Sequence, residues 1–254
     1  MNTAMRSILL LCVLWLSGCD SLYTINPIAD GNTPVDKRLI GAWVHVDPDE
    51  FGVLSIEKKD KNTNELAVIL LQKNEYCGVV EGRAIQLSDY WIFESDVDRD
   101  SYSCVAPHGN PESGEVKDKD TLKELGNRYQ HLAYKILEWN DPNIAKIIEQ
   151  VEYLNDESIS EAIKDTIKYY KLGETPSVLI ASTLRPKRFA KQIKAGKMKG
   201  SIKGERKDDS TIIEILDVTV TDSPEVVRAY LSDLDFFEDM DGAALFIRIS
   251  EDKD

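Results

Sequence analysis

The chain reads as an α+β protein. Its first half is expected to form an antiparallel curled sheet or partial β-barrel, covered by a helical hairpin and short C-terminal helices. Two observations predict this. From Leu39 to Trp139, short runs rich in β-branched and aromatic residues alternate with turn residues. From Asp141 the apolar spacing changes to the helical period, and short strand-like runs then return.

The elements follow in order. Leu39–Val46 reads as the first strand, stopped by Asp47, Pro48 and Asp49. Gly52–Lys58 is the second, with Leu54 and Ile56 set against Ser55 and Glu57. Glu65–Gln72 is the third, and its continuous apolar centre predicts burial on both faces. Tyr76–Leu87, Asp89–Glu94 and Gln130–Trp139 complete the meander. Between the last two lies a polar loop, Asp96–Asp120.

Asp141 followed by Pro142 reads as a helix start. Ile144, Ile147, Ile148, Val151 and Leu154 mark one helical face, and Ile159, Ala162, Ile163, Ile167 and Tyr170 mark a second. Together they predict an αα-hairpin inserted over about 141–172. Ser177–Thr183 is extended, Arg185–Ala195 helical, Thr211–Val220 extended, and Ser223 with Pro224 opens the last helix. Ala243–Ile249 is the closing strand. The organisation expected is residues 1–18 as a signal peptide, 19–36 as a lipidated tether, and 37–254 as a single domain.

The N-terminus carries this division. Arg6 precedes an apolar run, Ile8–Leu16, too short to span a bilayer and suited to a signal-peptide core. The run ends in Leu16, Ser17, Gly18 and Cys19. That ending resembles the lipobox of bacterial lipoproteins. The resemblance implies cleavage before Cys19, acylation of its sulfur (palmitate among the chains), and attachment to a membrane. Asp20 resembles the sorting residue that favours the periplasmic face of the inner membrane over the outer membrane. Residues 21–35 are polar and rich in turn residues, and read as a tether able to stretch to roughly 50 Å.

Cysteine use fits export. Cys12 leaves with the signal peptide and Cys19 takes lipid, so Cys77 and Cys104 are expected to form a disulfide. Closing that loop would stabilise the fold by about 3.6 kcal/mol on the chain-entropy account. With 45 acidic against 31 basic residues, the net charge is −14. That disfavours nucleic acid as a partner, because binding it needs lysine and arginine to displace counterions.

Two further resemblances concern the domain. Gly41 and Trp43 resemble the Gly-x-Trp first strand of lipocalin-like proteins, in which the Trp packs across the closed end of a barrel. That family's later motifs, including a late basic residue, are not recognised. The stretch Ala195–Gly200 (Ala-Gly-Lys-Met-Lys-Gly) and the stretch Thr221–Glu225 (Thr-Asp-Ser-Pro-Glu) are similar to motifs of a group of uncharacterised bacterial lipoproteins. That likeness implies architecture and no chemistry.

No nucleophile elbow, zinc-protease helix or phosphate loop is present, so no catalytic residue and no cofactor are assigned. Asp96, Asp98 and Asp100 begin like a calcium loop, but Ser101 and Pro107 stand where glycine and a bidentate glutamate belong, so no metal is assigned. His45, His108 and His131 lack ligand spacing. One charge pattern stands out. Between Arg185 and Lys207 there are ten basic residues and one acid, Glu205. Arg185, Lys187, Arg188, Lys191, Lys194, Lys197 and Lys199 therefore form a candidate contact surface. Its readings are compensation of the acidic body, contact with anionic lipid, or an acidic partner.

The expected function is a non-catalytic, membrane-anchored envelope lipoprotein that binds a protein or ligand in the periplasm. The alternatives are an immunity or inhibitor protein acting against a periplasmic enzyme, a hydrolase of an envelope polymer working through paired carboxylates about 5 to 9.5 Å apart, and a lipocalin-like carrier, which requires a continuous apolar cavity.

Overall fold

The computed structural model describes residues 21–30, 33–46, 52–60, 63–72, 75–96, 128–144, 164–172, 176–206 and 214–251. Its strands are β1 (Ser21–Thr24), β2 (Gly41–His45), β3 (Gly52–Lys58), β4 (Leu66–Gln72), β5 (Glu75–Leu87), β6 (Tyr90–Asp96), β7 (Tyr129–Glu138), β8 (Ser177–Leu184), β9 (Gly200–Arg206), β10 (Glu214–Val220) and β11 (Met240–Glu251). The helices with defined bounds are α1 (Pro186–Lys194), α2 (Pro224–Ser232) and α3 (Phe236–Asp239).

Eight strands close into an antiparallel barrel. From β2 to β8 each strand pairs with the next, and β11 pairs with both β8 and β2. The sheet expected to be curled or partly closed is thus closed, which removes every edge of the barrel itself. A three-stranded ribbon leaves it. β1 pairs antiparallel with the start of β7 and parallel with β10, and β10 pairs with β9.

Alternation along each strand sorts two cores. One set of side chains points into the barrel: Trp43, Leu54, Ile56, Ala84, Phe93, Tyr134, Leu179, Ala181 and Phe246. The other set lies outside, where Ile85, Tyr90, Ile92, Ala133, Val178, Ile180, Leu245 and Ile247 meet helix and ribbon residues such as Phe189, Val218, Val227 and Leu231. An eight-stranded barrel has no room for a helix, so the core shared with α1 and α2 is the outer one. Tyr90 joins the layers by donating its hydroxyl to the Leu231 carbonyl at 2.5 Å.

The helices follow their sequence cues. Arg185 is extended, Pro186 opens α1, and Phe189, Ala190 and Ile193 turn inwards. Gly196, at φ 69°, ends the turn, and the Lys197 N–H returns to the Gln192 carbonyl. Pro224 opens α2 in the same way, with Val227 and Leu231 buried.

Residues 142–144 and 164–169 are helical. Ile144 is buried in the outer core, with Ile167, Tyr170 and Leu172 packed against it. The rest of the expected hairpin, residues 145–163, lies outside the described residues. So do Cys19, Asp20, Cys104 and the side chain of Cys77.

Two expectations need correction. Residues 19–36 were expected to be a tether, yet 21–30 and 33–36 are built into the fold. Leu22, Ile28 and Ala29 are buried in the outer core, and Leu22 on β1 is paired with Val218 on β10. The reason is local chemistry: Ser21–Thr24 alternates like a strand, and the polar turn after it finds buried partners. The third strand was expected to be buried on both faces, yet outward-facing Leu71 is 42 % exposed and no β4 residue joins the outer core. Only Leu66 in this run is buried; Ala67 to Leu70 are half-buried on both faces, and Leu71 is exposed.

Candidate functional site

Three features of the described residues carry polar or apolar groups in unusual settings. They are a buried polar cluster beside β1, the barrel interior, and the basic surface of α1.

The buried cluster starts from register. Glu94 on β6 and His131 on β7 are direct cross-strand partners on the outer face. Both are buried there by the N-terminal segment. The Glu94 carboxylate accepts the Ile28 N–H at 2.5 Å on Oε2 and the Ala29 N–H at 3.2 Å on Oε1. His131 Nε2 lies 2.9 Å from Thr24 Oγ1, and its Nδ1 lies 3.7 Å from Glu94 Oε2. Thr24 Oγ1 also donates to the Asn26 carbonyl at 2.9 Å.

Burial dominates both acid–base groups. It pushes Glu94 up to about 7, against the lowering effect of the two backbone N–H groups and of Arg83 and Arg228. It pushes His131 down to about 3, so the imidazole is neutral at ordinary pH. A hydroxyl, an imidazole and a carboxylate in a row suggest a nucleophile relay. Here, however, both carboxylate oxygens hold backbone amides, the hydroxyl is buried, and it already donates to a carbonyl. The cluster is a clamp on residues 24–29.

Beside it lies a cleft of about 170 Å³ lined by Pro27, Glu65, Glu81, Arg83, Glu94, Asp96 and Tyr129. Its rim is paired: Arg83 bridges Glu65 at 2.9 Å, and Lys59 bridges both Glu65 and Glu81. Among the described residues no group of three His, Cys, Asp or Glu side chains could hold a metal ion.

The barrel interior is plugged at one end. The segment before β2 carries Leu39 into the inner core, and Trp43 donates its indole N–H to the Leu39 carbonyl at 2.8 Å. Arg248 on β11 lies over the Trp43 ring at 5.5 Å, and its Nη2 donates to the Ile40 carbonyl at 2.6 Å. Buried Asp36 pairs with Arg38 at 3.0 Å beneath this plug. Towards the opposite end, inward-facing Leu70, Leu132, Thr183 and Ala244 are only half-buried. Inward-facing Val68, Trp91 and Ile136 are half-buried as well, so the lining is partly accessible at several points.

The basic surface maps onto α1, the turn after it, and β9. Lys187, Lys191 and Lys194 form one exposed stripe at spacings of four and three residues, and Lys197 and Lys199 extend it through the turn. Arg185 and Arg188 are half-buried in the same segment. The two sequence motifs meet here. The Lys199 N–H bonds to Asp222 Oδ2 at 2.5 Å, and the Asp222 carbonyl accepts Asn26 Nδ2 at 3.1 Å. A Cβ at Gly200 would collide with the Thr219 carbonyl and the Ile193 side chain. These motifs fix a turn against β10.

Among the histidines, His45 is buried on β2 with its ring 5.1 Å from that of Phe246, and His108 lies outside the described residues. Asp96 ends β6, while Asp98 and Asp100 lie outside the described residues. Glu94, His131 and Arg248 were not singled out from the sequence. Their roles depend on strand register, and only the position of Arg248 on the closing strand could have pointed to it.

The chain matches no known protein family, no curated protein and no solved structure.

Proposed function

We propose that this is a non-catalytic envelope lipoprotein, anchored through acylated Cys19, whose barrel takes an apolar ligand through its unplugged end. Its place on this reading is the periplasmic face of the inner membrane, directed there by Asp20. The observation that carries the ligand reading is the half-buried apolar lining of Leu70, Leu132 and Ala244 inside a closed barrel. Ligand sites are concave and mostly apolar, and a closed barrel with apolar inward-facing residues supports this reading. The Trp43–Arg248 lock across the plug supports the lipocalin-like resemblance, because it keeps the closed end rigid. The carboxylate-hydrolase alternative has less support, since the most perturbed acid, Glu94, is held by two backbone amides and the adjoining cleft is small.

The test is titration with a long-chain fatty acid, followed by tryptophan fluorescence. Trp91 faces inwards and stacks on Tyr134 at 6.2 Å, so an occupied lumen is expected to change its emission saturably. Replacing Ala244 by Phe fills the space and is expected to weaken binding at least about tenfold at unchanged far-UV circular dichroism. A linear, non-saturable response in both proteins would remove the ligand reading.

A further inference from the structure

We infer that α1 and the turn that follows it, through Lys191, Lys194, Lys197 and Lys199, lie against anionic lipid headgroups, so that the anchor holds the domain in one orientation. This rests on the proposal that Cys19 is acylated.

The geometry is set by β1. Cys19 stands two residues before Ser21, so its Cα lies within about 8 Å of the first residue of the sheet. No free linker intervenes of the kind a 15-residue tether would provide. β1 runs beside β10, and α1 packs across β10 and β9. At ordinary strand and helix–sheet spacings, this places the lysine stripe on the order of 20 Å from the acyl chains. A charged patch held so close experiences a high effective concentration of headgroups.

Charge decides which side faces the membrane. The chain as a whole is at −14, so most of its surface is repelled by an anionic leaflet. The segment from Arg185 to Lys207 is the reverse, with ten bases to one acid. The lysine side chains of α1 and its turn point away from the core, because Pro186, Phe189 and Ala190 occupy the opposite face of the helix. An anchored body with this asymmetry turns its cationic edge down and its acidic barrel up. β9, the free edge of the ribbon, also carries exposed Lys203.

The test uses the chain isolated from membranes, with the mass of its N-terminal peptide measured first. An unmodified Cys19 would refute the anchor and leave the surface to be judged by the labelling below. The protein is combined with vesicles of phosphatidylcholine alone or mixed with phosphatidylglycerol. Amine labelling of each lysine is then read by peptide mass spectrometry. Labelling at Lys191, Lys194, Lys197 and Lys199 is expected to slow at least about threefold on the anionic vesicles, and to recover in high salt. Lys58 and Lys168, exposed towards the plugged end, are expected to label equally on both. Replacing the four lysines by Gln is expected to lower partition of the unacylated chain onto anionic vesicles at least about tenfold, since each surface lysine is worth roughly fivefold. Equal labelling on the two vesicle types would overturn the inference. Equal protection by soluble polyphosphate would overturn it too, because the stripe would then be a general polyanion site.

Discussion

Glu94 makes the pH dependence of stability predictable. In the unfolded chain it titrates near 4.5, and in the fold burial holds it at about 7. At this carboxyl the folded state therefore holds more proton than the unfolded one between these values, and its contribution to stability falls as pH rises through that window. The contribution is fully present below about pH 4.5 and is lost above about pH 7. The gap of two to three pH units corresponds to about 3 kcal/mol. His131 opposes this contribution: neutral in the fold but protonated below about 6.5 in the unfolded chain, it adds stability as pH rises over much of the same interval. Glu94→Gln removes the titrating group and keeps one oxygen to accept a backbone N–H, so its own cost is the same at both pH values. Urea unfolding of both proteins at pH 4.5 and pH 7.5 gives four free energies. The wild type is expected to lose about 3 kcal/mol more than the variant across the interval. Comparing the two cancels the opposing contribution of His131, which both proteins keep. Equal losses in wild type and variant would refute the assignment of a buried, proton-binding Glu94.

Two other substitutions test the architecture by chemical denaturation. Arg248→Ala removes the guanidinium over Trp43 and the charged bond to the Ile40 carbonyl, and is expected to cost about 2 to 3 kcal/mol. A loss below about half a kcal/mol would show that the plug holds without it. Gly82→Ala drives a methyl group into the Glu94 carbonyl and the Phe93 ring, and is expected to cost about 2 kcal/mol or more. An unchanged unfolding midpoint would mean that β5 and β6 do not approach as described.

Much of the barrel was legible from sequence, because strand alternation and turn residues are local. Gly52–Lys58 and the runs around Tyr90 and Ile180 fall where expected, within a residue or two at their ends. β1 was missed for a physical reason. Four residues carry too short an alternation to distinguish from a linker, and their partners on β10 lie almost two hundred residues away. The Glu94–His131 clamp was invisible for the same reason, since only register places two strands' side chains face to face. Closure of the barrel likewise depends on β6 meeting β7 across the long polar stretch of sequence between them. The Ala195–Gly200 and Thr221–Glu225 motifs were visible as patterns. Their joint purpose, a turn tied down by Asp222, needed the pairing of β9 with β10.

The pairing of Ser21 with Asp217 also orders events in time. β1 precedes the barrel strands in the chain, and those strands can pair in succession as they appear; β1 itself waits for β7 on one side and for β10 on the other, and such distant closure is slow. Until β7 forms, residues 21–30 lack the Glu94 and His131 contacts, and only β10 completes the pairing of β1. On the proposal that Cys19 is acylated, the domain would thus be held loosely while immature and rigidly once finished.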